Sequence, residues 1–258
     1  ASDTGELLWE RAMGASSEAK YGAPYLVLHR GDLHAVQASA VPSDIISLSH
    51  KLAGLEQRDG RVRLRFENGE TAEADAVIGA DGVHSVVRET LFGREQPQYT
   101  GRVAYRTVFP TALLNGMQID DQAKWWGPDR HIVIYYTNPR RDEVYFVTST
   151  PEPDYRIESW STEGDMVALR HAYRDFHPTV RAVMAAAPSA HKWALVVRDP
   201  LPSWTDGNVA LLGDACHPMT PYMAQGAASA IEDAAILSRC LEGVDREGIA
   251  AALKRYER

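Results

Sequence analysis

The chain has 258 residues, 45% hydrophobic and 24% charged, with a formal net charge of −8. That acidity, with no Lys/Arg-rich run, argues against nucleic acid or an anionic membrane surface as a partner, and no apolar run approaches the roughly 18–20 residues that span a bilayer. The first residues do not read as a secretory signal. The two cysteines, Cys216 and Cys240, make no disulfide framework, so a reduced, cytoplasmic compartment is expected. No metal site is expected at Cys216-His217, because no second cluster supplies the other ligands of a tetrahedral site.

Tyr25 to His29 reads as a short strand, and Arg30-Gly31-Asp32 opens a helix to about Ala40, with Asp32 suited to its first turn. Ile45 to His50 reads as another strand. Arg61 to Phe66 alternates polar and apolar residues without a break, the pattern of a half-buried strand. Asn68-Gly69 signals a hairpin, with a return strand from Glu70 to Ala74. Asp75 to Ala80 is nearly all apolar and ends at glycine, as a strand buried on both faces does. A helix is expected from about Ser85 to Leu91.

Strand-like runs then recur at Val103–Phe109, Ala123–Trp126, His131–Thr137 and Val144–Thr150, separated by turn residues, which predicts an antiparallel sheet. Residues 162–187 read as helical, interrupted at His177-Pro178, where the proline starts a new helix. Lys192 to Arg198 is one more strand. Asn208 to Asp214 is a second buried apolar strand ending in Gly-Asp. Helices follow from Gly226 to Leu241 and from about Ala250. Two buried, apparently parallel strands flanking an antiparallel block predict a mixed α/β fold: a nucleotide-type domain with a sheet domain inserted between its parts.

Two constellations carry chemistry. The first runs from Gly79-Ala80-Asp81-Gly82 to Arg88. The second is Gly213-Asp214-Ala215-Cys216-His217-Pro218, then Pro221, Gln225-Gly226-Ala227 and Glu232-Asp233-Ala234. Each alone could be an ordinary strand–turn–helix, and Asp81 alone reads best as a helix cap. Asp214 sits at the carboxyl end of a buried strand, where open α/β sheets bind ligands. The helix after it offers free N–H groups and a partial positive charge, and Gly226 permits close approach. His217 and Cys216 read as loop packing residues.

Together, in this order, the pair resembles the internal fingerprints of the single-component FAD-dependent aromatic hydroxylases, the para-hydroxybenzoate hydroxylase group. The resemblance implies FAD as cofactor, with Asp81, Gly213, Asp214, Pro221, Gly226 and Ala227 beside it. It adds Arg30 near the phosphate or ribose and the Leu52 backbone near the adenine, although a bare arginine at a helix start is more often a surface residue. Within that group, stretches such as His29 to His34, Lys124-Trp125-Trp126, Arg130-His131 with Tyr135-Tyr136, Tyr145 to Thr148 and Phe176 to Val180 resemble the 6-hydroxynicotinate 3-monooxygenase branch.

That branch hydroxylates and decarboxylates a pyridine ring with NADH and O2. The likeness implies that His131 binds the carboxylate or shuttles a proton, that Tyr135 orients the ring, and that Tyr222 stands near the flavin where the branch has a histidine. Ala123 likewise replaces a cysteine. On residues alone, His131 is a turn-edge histidine and Tyr135 a core aromatic. Residues 131 and 135 share a strand face about 13 Å apart.

The expected division is an FAD-binding domain over 24–98 and 199–258 and a substrate-binding sheet domain over 1–23 and 99–198. No Gly-x-Gly-x-x-Gly follows an N-terminal strand, although the family opens with one. The native polypeptide is therefore expected to be longer, and the strands at Ala74–Ala80 and Val209–Asp214 to lack a neighbour. A flavin reductase on the same scaffold, or a non-catalytic relative, are the competing readings.

Overall fold

The computed structural model describes residues 1–155 and 162–258. The chain divides into two compact units, one of Ala1–Ser43 with Thr100–Leu195, the other of Asp44–Tyr99 with Val196–Arg258. The fold is mixed α/β, as read. Residues 24–43 group with the sheet unit, whereas the sequence reading put them with the nucleotide-type part. The expected sheet domain also includes residues 156–161, which lie outside the described residues.

The chain starts with α1 (Ala15–Tyr21) and α2 (Arg30–Ser39), neither of which buries a residue. Tyr25 to His29 is not a strand, and Leu26 is 67% exposed. Ile45 to His50 is not one either: a 3-10 turn covers Ser43–Ile45 and unpaired chain follows. Both segments have suitable side chains, but a strand is held by ladder hydrogen bonds, and neither has a paired neighbour among the described residues.

Pairing begins at β1 (Leu52–Arg58), which forms an antiparallel meander with β2 (Arg61–Phe66) and β3 (Thr71–Ala74). β2 has the expected bounds: Val62 is buried while Arg61, Arg63 and Arg65 face solvent. At the turn, Gly69 takes φ +87° and the Glu70 N–H donates to Asn68 Oδ1 at 2.9 Å, the local bond that makes Asn-Gly a turn former. β4 (Val77–Gly79) leads into α3 (Val86–Phe92).

The larger sheet contains β5 (Gln98–Pro110), β6 (Gln122–Trp126), β7 (His131–Tyr136), β8 (Glu143–Pro151) and, past two helices, β9 (His191–Val197), in the order β6-β7-β8-β5-β9. The helices are α4 (Met166–Ala172) and α5 (Pro178–Ala186). Asp165 caps α4 through the Val167 and Ala168 N–H groups, and His177 with Pro178 starts α5. On β7, Ile132, Ile134 and Tyr136 are buried and alternate with half-buried His131, Val133 and Tyr135. The buried face is the helix side: Tyr173, the residue after α4, reaches Thr150 Oγ1 at 3.1 Å, and Leu169, Val180, Val183 and Met184 are buried with it.

In the second unit, β10 (Thr205–Asp206) pairs antiparallel with β11 (Val209–Leu211), and β11 pairs parallel with β4. The expectation that these two apolar strands lack a neighbour is therefore corrected. Val209 stands opposite Val77 and Leu211 opposite Gly79, and Leu212 extends the pairing by donating to the Gly79 carbonyl at 2.9 Å. Val209, Ala210 and Leu211 are fully buried, each of the two larger side chains stabilising by about 1.5–3 kcal/mol. α6 (Gly226–Leu241) and α7 (Ile249–Tyr256) close this core through Leu237, Leu253 and Tyr256. No helix among the described residues is long and apolar enough to cross a membrane.

Candidate functional site

In the second unit, the parallel pair β4–β11 ends in two turns that need glycine. A Cβ on Gly79 would lie 2.7 Å from the Val87 Cβ and 3.0 Å from Leu211 Cδ2, so its absence lets α3 pack onto the sheet. Gly213 has φ +60°, and a Cβ there would meet the Ala230 Cβ at 3.0 Å. The chain therefore turns sharply at the end of β11 and rests directly on α6.

Asp233 of α6 tethers that turn. Its Oδ2 accepts from the Gly213 N–H at 3.0 Å and faces His217 Nε2 at 2.7 Å. His217, read from sequence as a packing residue, is thus a hydrogen-bond partner of Asp233, with its ring 5.3 Å from that of Trp204. Cys216 fits the packing reading: its thiol is buried, and burial pushes its pKa up.

The turn leaves Asp214 exposed. One of its carboxylate oxygens lies 3.9 Å from where a Cβ of Gly226 would be, at the start of α6. The first turn of α6 holds no acidic residue and no side-chain cap, so its N–H groups and helix dipole face outward. Pro221 begins a 3-10 turn with Tyr222, and Ala224 follows at φ +52°, a left-handed conformation uncommon for alanine. Ala227 is exposed on α6 and Tyr222 is half-buried. A strand-end carboxylate, an uncapped helix N-terminus and a glycine, where a Cβ would meet Met219 at 3.8 Å, fit the ribityl and ring portions of a flavin.

Asp81 takes the capping role that its bare sequence suggested. Its carboxylate accepts from the Ser85 hydroxyl and from the Val86 and Val87 N–H groups, at 2.8 and 3.2 Å for the latter two. Ser85 in turn caps α3 through the Arg88 N–H. Leu52 opens β1 and packs on the cluster of Leu55, Val62, Val87 and Leu211. Arg30 lies in the other unit, exposed at the start of α2.

Sequence reading gave no role to two arginines, the buried Arg88 and the largely covered Arg198. Arg88, 3% exposed, donates to the Cys216 carbonyl at 3.1 Å and to Glu95 at 2.6 Å, which joins the first fingerprint to the second. Arg198 donates to the Val83 and Glu95 carbonyls. The Arg88 hydrogen bond leads the effects that hold the Glu95 carboxyl below its usual range. Arg88 stood inside a quoted motif, but nothing local says that an arginine will be buried.

In the sheet unit, the face of β7 away from α4 and α5 carries the predicted substrate residues. His131 and Tyr135 are both half-buried on it, each with neighbours. The His131 ring is 5.1 Å from Trp126, and the Tyr135 ring 4.7 Å from Tyr145. Burial, then the charges of Lys124 and Arg102, pull the His131 pKa down to about 4, so the imidazole is neutral near pH 7. Burial pushes both the Tyr135 and Tyr145 phenols up, keeping them protonated donors. Trp126 and Tyr145 were not singled out as site residues; cross-strand register puts them there.

This fold and these turns define a flavin-binding class, and the chain belongs to the FAD binding domain family, whose model matches residues 36–258. Among particular proteins, it is 47% identical over 247 residues to a 6-hydroxynicotinate 3-monooxygenase of Bordetella bronchiseptica, covering 95% of this chain and 64% of that protein. It is 43% identical over 256 residues to the enzyme of the same name from Pseudomonas fluorescens, covering 98% and 66%. A solved salicylate hydroxylase substrate complex is similar with a TM-score of 0.79 at 27% identity, covering 89% of this chain and 61% of that one. The chain thus spans a little under two thirds of the length of the curated relatives it matches.

Proposed function

We propose that the protein is an FAD-dependent monooxygenase that hydroxylates a small hydroxylated aromatic acid such as 6-hydroxynicotinate, with loss of its carboxylate as CO2, using NADH and O2. The observation that carries this reading is the Gly213–Asp214 turn at the end of a parallel strand, set against the open N-terminus of α6. Bound there, FAD would pass electrons from NADH to dioxygen.

The chain's own residues then have distinct tasks. Asp214 would accept hydrogen bonds from ribityl hydroxyls. The α6 N-terminus would favour negative charge on the reduced ring. Asp233 and His217 keep the turn in shape. On the sheet, Tyr135 and Tyr145 would hold the substrate ring by edge and face contacts and donate hydrogen bonds. His131, neutral before substrate binds, can accept the proton of the ring hydroxyl, and an anion bound beside it would raise its basicity. Tyr222, near the flavin-side turn, remains a candidate catalytic residue.

The reading is tested by the visible spectrum of the purified full-length protein, then NADH oxidation with and without 6-hydroxynicotinate. A flavin spectrum with substrate-stimulated oxidation supports it. A flavoprotein whose NADH oxidation ignores every hydroxylated aromatic acid offered would point to a reductase instead.

A further inference from the structure

Glu257 follows α7 directly, and its side chain is 14% exposed. One of its oxygens, Oε2, accepts from the Ser203 hydroxyl at 3.0 Å, from the Thr205 hydroxyl, and from the Lys254 ammonium at 2.9 Å. Hydrogen bonds to an ionised acceptor are the strong ones. The short loop that enters β10 is therefore fastened to the end of α7 on both sides of Trp204.

Trp204 is half-buried and packs against both cores of this unit, the one with Leu211 and Cys216 and the one with Leu253 and Tyr256. It acts on the end of β11 in two ways. Its carbonyl accepts from the Leu211 N–H at 2.9 Å, while the Leu211 carbonyl accepts from the Tyr256 hydroxyl at 3.0 Å. Both backbone groups of the residue two before Gly213 are thus held by Trp204 and the last residue of α7. Its ring also lies 5.3 Å from that of His217, tilted by 51°, an ordinary attractive aromatic arrangement. His217 Nε2 meets Asp233 Oδ2 at 2.7 Å, and the same oxygen accepts from the Gly213 N–H. A covered carboxylate is costly to desolvate and adds little net stability; what it does here is fix one arrangement of the loop, and with it the ring that backs His217.

We propose that Trp204 and Glu257 are positioning residues for the flavin. Glu257 clasps the Ser203–Thr205 loop, Trp204 backs the His217 ring, and His217 with Asp233 then holds the Gly213 turn in the shape that receives FAD. This inference rests on the flavin-site reading above.

The test is a double-mutant cycle on FAD affinity. FAD is titrated into the full-length protein stripped of flavin, at a temperature where circular dichroism shows every variant folded. Glu257→Gln, which keeps the size and loses the charge, should weaken FAD by about 3- to 10-fold, and Trp204→Leu by about tenfold. Trp204→Phe, which keeps a ring beside His217, should restore most of the loss. In an Asp233→Ala background neither substitution should weaken FAD further, because the link they act through is gone. The same loss in both backgrounds, or wild-type affinity in Glu257→Gln and Trp204→Leu, would overturn the assignment. A full-length wild-type protein that takes up no FAD would sink the flavin-site reading itself and the inference with it.

Discussion

Asp233→Ala is the perturbation whose consequence follows most directly from the geometry. One carboxylate oxygen serves two groups, the Gly213 N–H at 3.0 Å and His217 Nε2 at 2.7 Å. Gly213 is buried, and the His217 and Asp233 side chains are 23% and 15% exposed. Alanine leaves a buried donor without its acceptor, at about 1–3 kcal/mol. The lost imidazole contact adds about 1 kcal/mol once screening is allowed for. Together, about 2–4 kcal/mol should lower the melting temperature by roughly 5–15 °C. The slackened turn should also weaken FAD binding by about tenfold, the equivalent of 1.4 kcal/mol. Asp233→Asn keeps one acceptor oxygen and should recover most of the stability. Thermal melts and flavin titrations of the two variants are the assay. If Asp233→Ala matches wild type in both, the tether does not hold the turn.

Three further outcomes follow from the same structure. His131 should titrate near pH 4 by NMR, well below its ordinary 6.5. The unfolded chain then binds the proton first as pH falls, so stability contributed by neutral His131 is complete above about pH 6.5 and is lost toward pH 4; titration near 6.5 would remove this claim. Asp214→Ala should weaken FAD binding by about 10- to 100-fold with little change in melting temperature, because Asp214 is exposed; a large loss of stability would mark a structural aspartate instead. Gly79→Ala forces a methyl to within 2.7 Å of Val87 and should destabilise by about 1–3 kcal/mol, read as a lower urea midpoint, which an unshifted midpoint would contradict.

The elements legible in the sequence were those whose pattern is local. Arg61–Phe66 alternates cleanly and forms β2, and the run from Gly226 to Leu241 forms α6 with the bounds read. β1 was missed because Leu-Ala-Gly-Leu-Glu-Gln-Arg is poor in β-branched and aromatic residues; its pairing with β2 makes it a strand. The segments at 25–29 and 45–50 err the other way, with strand-like side chains but no ladder. At the site, the glycine turns were visible as motifs, since a left-handed φ at Gly213 leaves few choices of residue. The tether from Asp233 and the buried Arg88 were not, because each depends on residues brought together by the fold. The charge of His131 was equally hidden, since it is set by burial and by Lys124 and Arg102, which neighbouring strands bring near it.

The most direct test of the central claim is turnover of 6-hydroxynicotinate by the full-length protein with NADH under isotopically labelled dioxygen. The account predicts a dihydroxypyridine carrying one labelled oxygen atom, with CO2 released in equal amount. NADH oxidation that leaves the acid unchanged, or a product whose new oxygen comes from water, would contradict it.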